Sequence, residues 1–410
     1  MRILYLCADP GIPLFGRKGC STHIRETVIA LEQLGHQVKI VCSNTHGDSS
    51  GESLDVLPIR PPRSRKLGFD LRHMLLDRRL RRALHQLWFE WRPDAIYERY
   101  SLYSRAGELF AREHNLPRLM ELNAFLTREQ AGRIRLGWWA RRVERHIIRK
   151  APRVIVVSEP LRQEVHALGT PLGFISKMPM AVNLEKFNPA IDGTATRERL
   201  GLTGRFVIGY VGTLAGWHGI TLLYDMARAM RERTELPFTF LIVGGDPHKL
   251  ELHLRKTREQ GLQDHLKFIG SVPYDQVPEH IRAFDAAVIP DTTYWSSPAK
   301  LFEYQASGVP VLAPRYPAIL EALDHGVEGM IFEPREIGAM AEAAIALQQA
   351  PEKAMAMGRA ARQRAERDHA WRNNAEQIIE LYREMGAPNT GLPAQPAHPV
   401  IPTAPDQPHP

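Results

Sequence analysis

Lys300 and Glu303 follow a Ser297-Pro298 pair, and the four together have the residue types of an anion site. A serine suits a helix N-cap and proline the first helical position, where its missing N–H costs nothing. The free N–H groups and dipole at a helix start attract phosphate. Lys300 in the first turn opposes the dipole unless an anion lies between it and the helix end. Glu303, three residues on, shares its face and is placed to accept hydrogen bonds from ribose hydroxyls. The element that positions these groups is a short helix ended by Gly308 as a left-handed C′ residue, running into a buried strand over residues 309–313. Local physics leaves a second reading open, an ordinary capped helix with a solvated Lys–Glu pair.

The stretch SPAKLFEYQASGVPVLA resembles the donor-site segment of the glycosyltransferase group 1 proteins, the retaining family 4 with the GT-B fold. The similarity extends to an N-terminal glycine loop, to Val211-Gly212-Thr213-Leu214, to His325-Gly326-Val327-Glu328-Gly329 and to a late helix at Trp371, covering nearly all of residues 1–385. It implies an α/β chain of two Rossmann-like, doubly wound domains facing an interdomain cleft. The acceptor-side domain would span 1–180 and the nucleotide-sugar donor domain 181–365. Residues 366–386 would then cross back to the first domain, ahead of a Pro-rich tail at 387–410. The resemblance assigns catalytic roles to Lys300 and His218, and donor binding to Gly212, Thr213, Ser297, Pro298, Leu301, Phe302 and Glu303.

Composition narrows the class without choosing a partner. The chain has 410 residues, long for one core and sufficient for two. Its 44% hydrophobic and 24% charged residues are those of a globular protein. A net charge of +7 admits nucleic acid, an anionic membrane surface or a polyanionic substrate. Cys7, Cys20 and Cys42 lack metal-ligand spacing and read as reduced thiols of a cytoplasmic protein. The apolar start is short before Asp9, so it reads as a strand, not a signal peptide. No apolar run has transmembrane length, so membrane contact would be peripheral, on the inner face.

Residues 2–42 read as a βαβ unit whose loop carries Gly11, Gly16 and Gly19 but not the dinucleotide fingerprint. In the resembled family this loop borders the cleft, which makes Gly16 and Gly19 candidates. Segments 63–92 and 133–153 interleave arginine with leucine and tryptophan. Each is either a solvated helix face over a core or a helix lying on anionic headgroups. Residues 95–97 and 118–122 read as strands ending in polar loops. Ligands collect beyond strand carboxyl ends, so Arg99, Glu121 and Asn123 are cleft candidates, with a structural Glu–Arg pair as the alternative. Strands near 207–211, 238–243, 266–269 and 286–290 alternate with helices and imply a second parallel sheet. The tail from Pro388 is rich in Pro, Ala, Thr and Gln and reads as disordered.

A nucleotide-sugar transferase must stabilise a diphosphate leaving group, with a metal or with fixed charge and helix dipoles. The sequence has no Asp-x-Asp pair and no metal-spaced His or Cys cluster, so the metal-free route is expected, with no cofactor beyond the nucleotide-sugar. The resemblance implies same-face attack in which the departing phosphate takes the acceptor proton, with no side-chain nucleophile. The chain departs from the family at three positions. Trp295 replaces the first glutamate of a Glu-x7-Glu motif, and Thr213 and His218 stand where the family has Arg and Lys. The reading is a retaining glycosyltransferase acting on a glycan or lipid-linked acceptor in polysaccharide or glycolipid synthesis. The alternatives are a sugar-nucleotide epimerase or hydrolase, or a non-catalytic polyanion-binding protein. No nucleic-acid motif is present.

Overall fold

The computed structural model describes residues 1–16, 18–49, 53–62 and 68–387. The expectation of a disordered tail falls outside them, as do residues 63–67 of the first basic segment. Compact runs of Val, Ile, Leu and aromatic residues become parallel strands covered by helices on both faces. In the first half these are β1 (Arg2–Cys7), β2 (Gln37–Cys42), β3 (Asp55–Pro58), β4 (Ala95–Arg99), β5 (Arg118–Leu122), β6 (Arg153–Val156) and β7 (Ile175–Lys177). They form one sheet in the order β3-β2-β1-β4-β5-β6-β7. The second half supplies β8 (Phe206–Val211), β9 (Phe238–Val243), β10 (Leu266–Gly270), β11 (Ala286–Val288), β12 (Val311–Pro314) and β13 (Gly329–Phe332). These are ordered β10-β9-β8-β11-β12-β13. All pairings between these strands are parallel.

Each sheet reverses direction beside its first strand, β1 between β2 and β4 and β8 between β9 and β11. Such a switch point opens a crevice at the strands' carboxyl ends. The two halves are held together near these ends. Ser158 Oγ donates to Trp295 O at 2.7 Å, and Lys177 pairs with Glu321 at 2.8 Å. Arg128 lies over the Trp295 ring at 4.7 Å and also bonds Glu164, which accepts from the Tyr294 hydroxyl. Trp295, at the position of a missing glutamate, is therefore an interdomain contact.

The chain returns to the first half at its end. Val182 bridges to Ala370, and the helix Trp371–Glu384 packs on the helix Gly19–Gln33. Ile378, Ile379 and Tyr382 share one apolar core with Ile24, Val28 and Leu31. The preceding helix, Pro351–Asp368, runs across position 365, so the crossing itself falls at His369–Ala370.

Two boundaries differ from expectation. Glu98 and Arg99 end β4, and Glu121 lies inside β5; none belongs to a polar loop. They are buried because they pair: Arg118 Nη1 donates to Glu98 Oε2 at 2.5 Å, and Arg99 Nη1 to Glu121 Oε1 at 2.8 Å. The strand after Gly308 begins at Val311 instead of Val309.

The long helix Gly68–Glu90 buries Leu76, Leu80, Leu84 and Leu87 on one face, at heptad-like spacing, and leaves Arg78, Arg79, Arg81 and Arg82 in solvent. The helix Gly137–Arg149 buries Ala140, Ile147 and Ile148 and exposes four arginines. Its Trp138 is 68% exposed and Trp139 38%.

Candidate active site

The helix Ala299–Ala306 is placed by its own tyrosine. The Tyr304 hydroxyl accepts from Val211 N–H at 2.8 Å, tying the helix to the end of β8. Gly308, at φ +69°, turns the chain out of the helix in the left-handed region where glycine carries no Cβ penalty. The helix starts later than expected. Pro298 is extended at φ −76°, ψ 121° and occupies the N-cap position, while Ser297 does not cap; its Oγ accepts from Met180 N–H at 3.2 Å. Leu301 and Phe302 are each 1% exposed, and Leu301 N–H is taken by Pro298 O at 2.9 Å, so their side chains seat the helix. The N–H groups at Ala299 and Lys300 are the ones a helix start leaves free.

Lys300 Nζ donates to the Tyr210 hydroxyl at 2.9 Å and lies 4.1 Å from the Tyr210 ring centroid. That hydroxyl donates on to Thr213 O at 2.9 Å. Gly212 has φ +148°, and a Cβ there would stand 2.8 Å from Lys300 Nζ and 2.9 Å from Tyr210 Oη. Only glycine lets the lysine rest on this turn. Burial pushes the Lys300 ammonium down to about 7, with Glu303 opposing that shift. Burial likewise pushes the Glu303 carboxyl up to about 7, against Lys300, Lys186 and a hydrogen bond from Tyr274. Glu303 lines a small interdomain gap with Gly19, Thr22, His23, Tyr274 and Trp371.

His218 ends a 3₁₀ turn, Gly216–His218, and is 8% exposed. Burial, then Lys300 and Lys249, pushes its imidazole down to about 2. That shift favours the neutral ring in the unliganded protein. Trp217 stacks against it, with ring centroids 3.6 Å apart, and is itself exposed.

The first domain reaches this point through Gly19, which opens its helix with Ala299 Cβ 3.8 Å from where its own Cβ would be. Two helix N-termini, one from each domain, therefore meet beside Lys300 and Gly212. Gly16 shapes the approach: a Cβ would lie 2.6 Å from Pro13 Cγ. Arg99, Glu121 and Asn123 come together below, since Asn123 also donates to Glu121 Oε1 and His23 Nε2 lies 2.9 Å from it. Burial alone would raise the Glu121 carboxyl, but His23, Arg99 and Asn123 hold it well below the usual range. Arg99 is 9% and Glu121 1% exposed, so this is a buried floor that fixes His23 and the loop after β5. Sequence reasoning missed Tyr210, Tyr274 and Asp291. Asp291 is buried and accepts from Tyr316 Oη and Arg335 Nε, both at 2.9 Å.

A pair of parallel-sheet domains with helix starts and a lysine meeting at their cleft defines a two-domain α/β protein with an anion-suited site. The family model for "Glycosyl transferases group 1" matches residues 205–350, and that for "Glycosyltransferase Family 4" matches residues 17–186. A GDP-mannose-dependent α-(1-6)-phosphatidylinositol monomannoside mannosyltransferase of Mycolicibacterium smegmatis is 29% identical over 258 residues, 60% of this chain and 67% of its own. A glycogen synthase of Mycobacterium tuberculosis is 24% identical across 98% of both chains. Among solved structures, a sucrose-phosphate synthase from Thermosynechococcus elongatus superposes with a TM-score of 0.78 at 21% identity, over 94% of this chain and 99% of its own. The Anabaena protein HepE in complex with UDP-glucose does so at 0.73 and 18%, over 94% and 100%.

The chain belongs to the group 1, family 4 glycosyltransferases, with the GT-B fold. It is a glycosyltransferase, an enzyme that moves a sugar from a donor to an acceptor.

Proposed function

We propose that the donor diphosphate lies between the helix starts at Gly19 and Ala299, with Lys300 Nζ as its cation and Gly212 and Thr213 beneath it. The observation that carries this is the meeting of those two helices, from different domains, at Lys300. Transfer breaks the bond from the anomeric carbon to the diphosphate oxygen. The acceptor hydroxyl bonds the same face of that carbon, and its proton goes to the departing phosphate oxygen. Lys300 and the free N–H groups neutralise the charge that grows on the leaving group, so fixed protein charge does the work assigned to a metal in other transferases. The chemistry asks for no cofactor besides the nucleotide-sugar. Glu303, one turn behind, accepts from the donor ribose.

Thermal-shift titration with UDP-, GDP-, ADP- and TDP-sugars tests the donor site, because a ligand that binds only the native state raises Tm. One nucleotide class is expected to raise it. Glu303→Gln should weaken that nucleotide's affinity by about 1.5–3 kcal/mol with the unliganded Tm retained. Unchanged affinity would remove Glu303 from the ribose.

We further propose that the protein works at the inner face of an anionic membrane. No described helix is long and apolar enough to cross one. Support comes from Trp138 and Trp139 standing exposed among Arg141, Arg142, Arg145 and Arg149 on one short helix. Cys7, Cys20 and Cys42 are free thiols, as suits the cytoplasmic side. Each basic residue near such a surface contributes about 1 kcal/mol. Co-sedimentation with phosphatidylglycerol vesicles should exceed that with phosphatidylcholine and fall in Trp138→Ala/Trp139→Ala. Equal binding to both vesicles would leave this helix an ordinary packed element.

A further inference from the structure

A second concavity, of about 350 Å³, lies in the first domain at the carboxyl end of β1, outside every residue assigned above except the neighbourhood of the glycine loop. Its walls are the loop at Asp9, the first turns of the helix Gly68–Glu90 with Phe69, Arg72 and His73, and the approach to the helix Gly137–Arg149 with Arg133 and Arg135. Three arginines and one aspartate thus line it. That carboxylate is already engaged: Asp9 Oδ1 accepts from Gly11 N–H at 2.7 Å, and Oδ2 faces Gln130 Nε2 at 3.4 Å.

Among the described residues, no carboxylate pairs with these arginines. Arg72 Nε is buried with no hydrogen-bond partner. Arg133 rests over the Phe69 ring at 5.4 Å, and Arg135 packs against Gly68, its guanidinium carbon 3.7 Å from where a Cβ would be. Among the described residues, none of the three guanidinium groups forms an ion pair. The buried arginines Arg99 and Arg118, by contrast, are answered by Glu121 and Glu98. An unanswered buried donor such as Arg72 Nε is unfavourable, and a ligand anion would relieve it. Several planar guanidinium forks lining one concavity suit a tetrahedral phosphoryl group with several oxygens better than a flat carboxylate. The loop from Asp9 to Gly19 has this cavity at one end and Ala299 at the other, so a molecule seated here extends toward the donor site.

We propose that this cavity is a phosphate-binding subsite for the acceptor, and that the acceptor therefore carries a phosphoryl ester beside the hydroxyl that is glycosylated. This rests on the transferase reading and adds the chemical class of its acceptor. Two sources share the chemistry, a soluble sugar phosphate and the headgroup of a lipid phosphate.

The test uses the full chain and three probes: inorganic phosphate, glucose 6-phosphate, and a short-chain phosphatidic acid kept below its micelle concentration. Affinities are read by calorimetry for wild type, Arg133→Ala and Arg72→Lys, with glucose as the uncharged control. Arg133 is exposed and its side chain makes no hydrogen bond to a described residue, so its truncation leaves the fold in place; Arg72→Lys keeps the charge and removes the fork. At least one phosphate probe should bind where glucose does not, and bind about tenfold or more weakly to each variant. Preference for glucose 6-phosphate assigns a soluble ester, and preference for phosphatidic acid a lipid one. No binding by any phosphate probe, or equal binding to the three proteins, overturns the subsite. Nucleotide-sugar binding to the same variants separates the two readings: if it persists while phosphate fails, only the subsite is wrong, and if no nucleotide binds wild type, the donor reading has failed instead.

Discussion

Lys300→Ala lowers kcat by about 10²–10³-fold, the expected loss when one charge-stabilising donor is removed from a preorganised site. The side chain reaches the reaction as a cation held over Gly212 by the Tyr210 hydroxyl. The pH dependence follows from the same group. Burial lowers the Lys300 ammonium to about 7 in the free protein. The charged form is therefore present below pH 7 and lost as pH rises through it, so kcat/KM, which reports the free enzyme, falls there. A bound diphosphate favours the ammonium, so the fall in kcat at saturating donor lies at higher pH. The alanine variant should lack this alkaline fall. His218→Ala should retain it, because burial and Lys300 already keep that imidazole neutral. Steady-state rates over pH 6–9 decide the matter. A kcat/KM profile that is flat through pH 7 in wild type takes the essential cation away from Lys300.

Arg118→Ala should be the most damaging single change to stability, at about 3–5 kcal/mol, because it strands a buried charge. Arg118 and Glu98 are 2% and 3% exposed, and the pair is enclosed by Gly107, whose Cβ would fall 2.5 Å from Glu98 Oε2. Burial raises the Glu98 carboxyl and Arg118 offsets that rise, so without the arginine the carboxylate has no counter-charge inside the sheet. Arg118→Met combined with Glu98→Gln removes both charges and should recover a large part of the loss. Urea unfolding of the three proteins measures this. A loss under about 1 kcal/mol for the single variant would mean that water or protonation relieves Glu98 without Arg118.

Both parallel sheets were legible in the chain because a strand buried on two faces must be a short run of Val, Ile and Leu between turns, as in residues 207–211 and 238–243. The site was legible only where its parts adjoin in sequence. Lys300 and Glu303 announce themselves by helical spacing, whereas Tyr210, which holds Lys300, lies 90 residues away and carries no local mark. The helix start was misplaced because local capping rules ignore competitors: Ser297 Oγ accepts from Met180, 117 residues away. Glu98 and Arg99 were assigned to a loop because charge ordinarily marks solvent. Here two carboxylates and two guanidinium groups neutralise each other across β4 and β5, which lets charge enter a sheet. The arginines of the phosphate cavity were visible as composition, but a basic run does not reveal which of its members lack a partner.

The return of the last described helix to the first domain sets an order on synthesis. Ile378, Ile379 and Tyr382 complete the same apolar core as Ile24, Val28 and Leu31. Domains ordinarily fold as they leave the ribosome, the N-terminal one first. Here the helix Gly19–Gln33 keeps one oily side uncovered while the whole of the second sheet is being translated, and finds its cover only when the helix Trp371–Glu384 emerges. The two halves are thus separate in function and inseparable in maturation, and the cleft between them is finished in the same event that finishes the first domain.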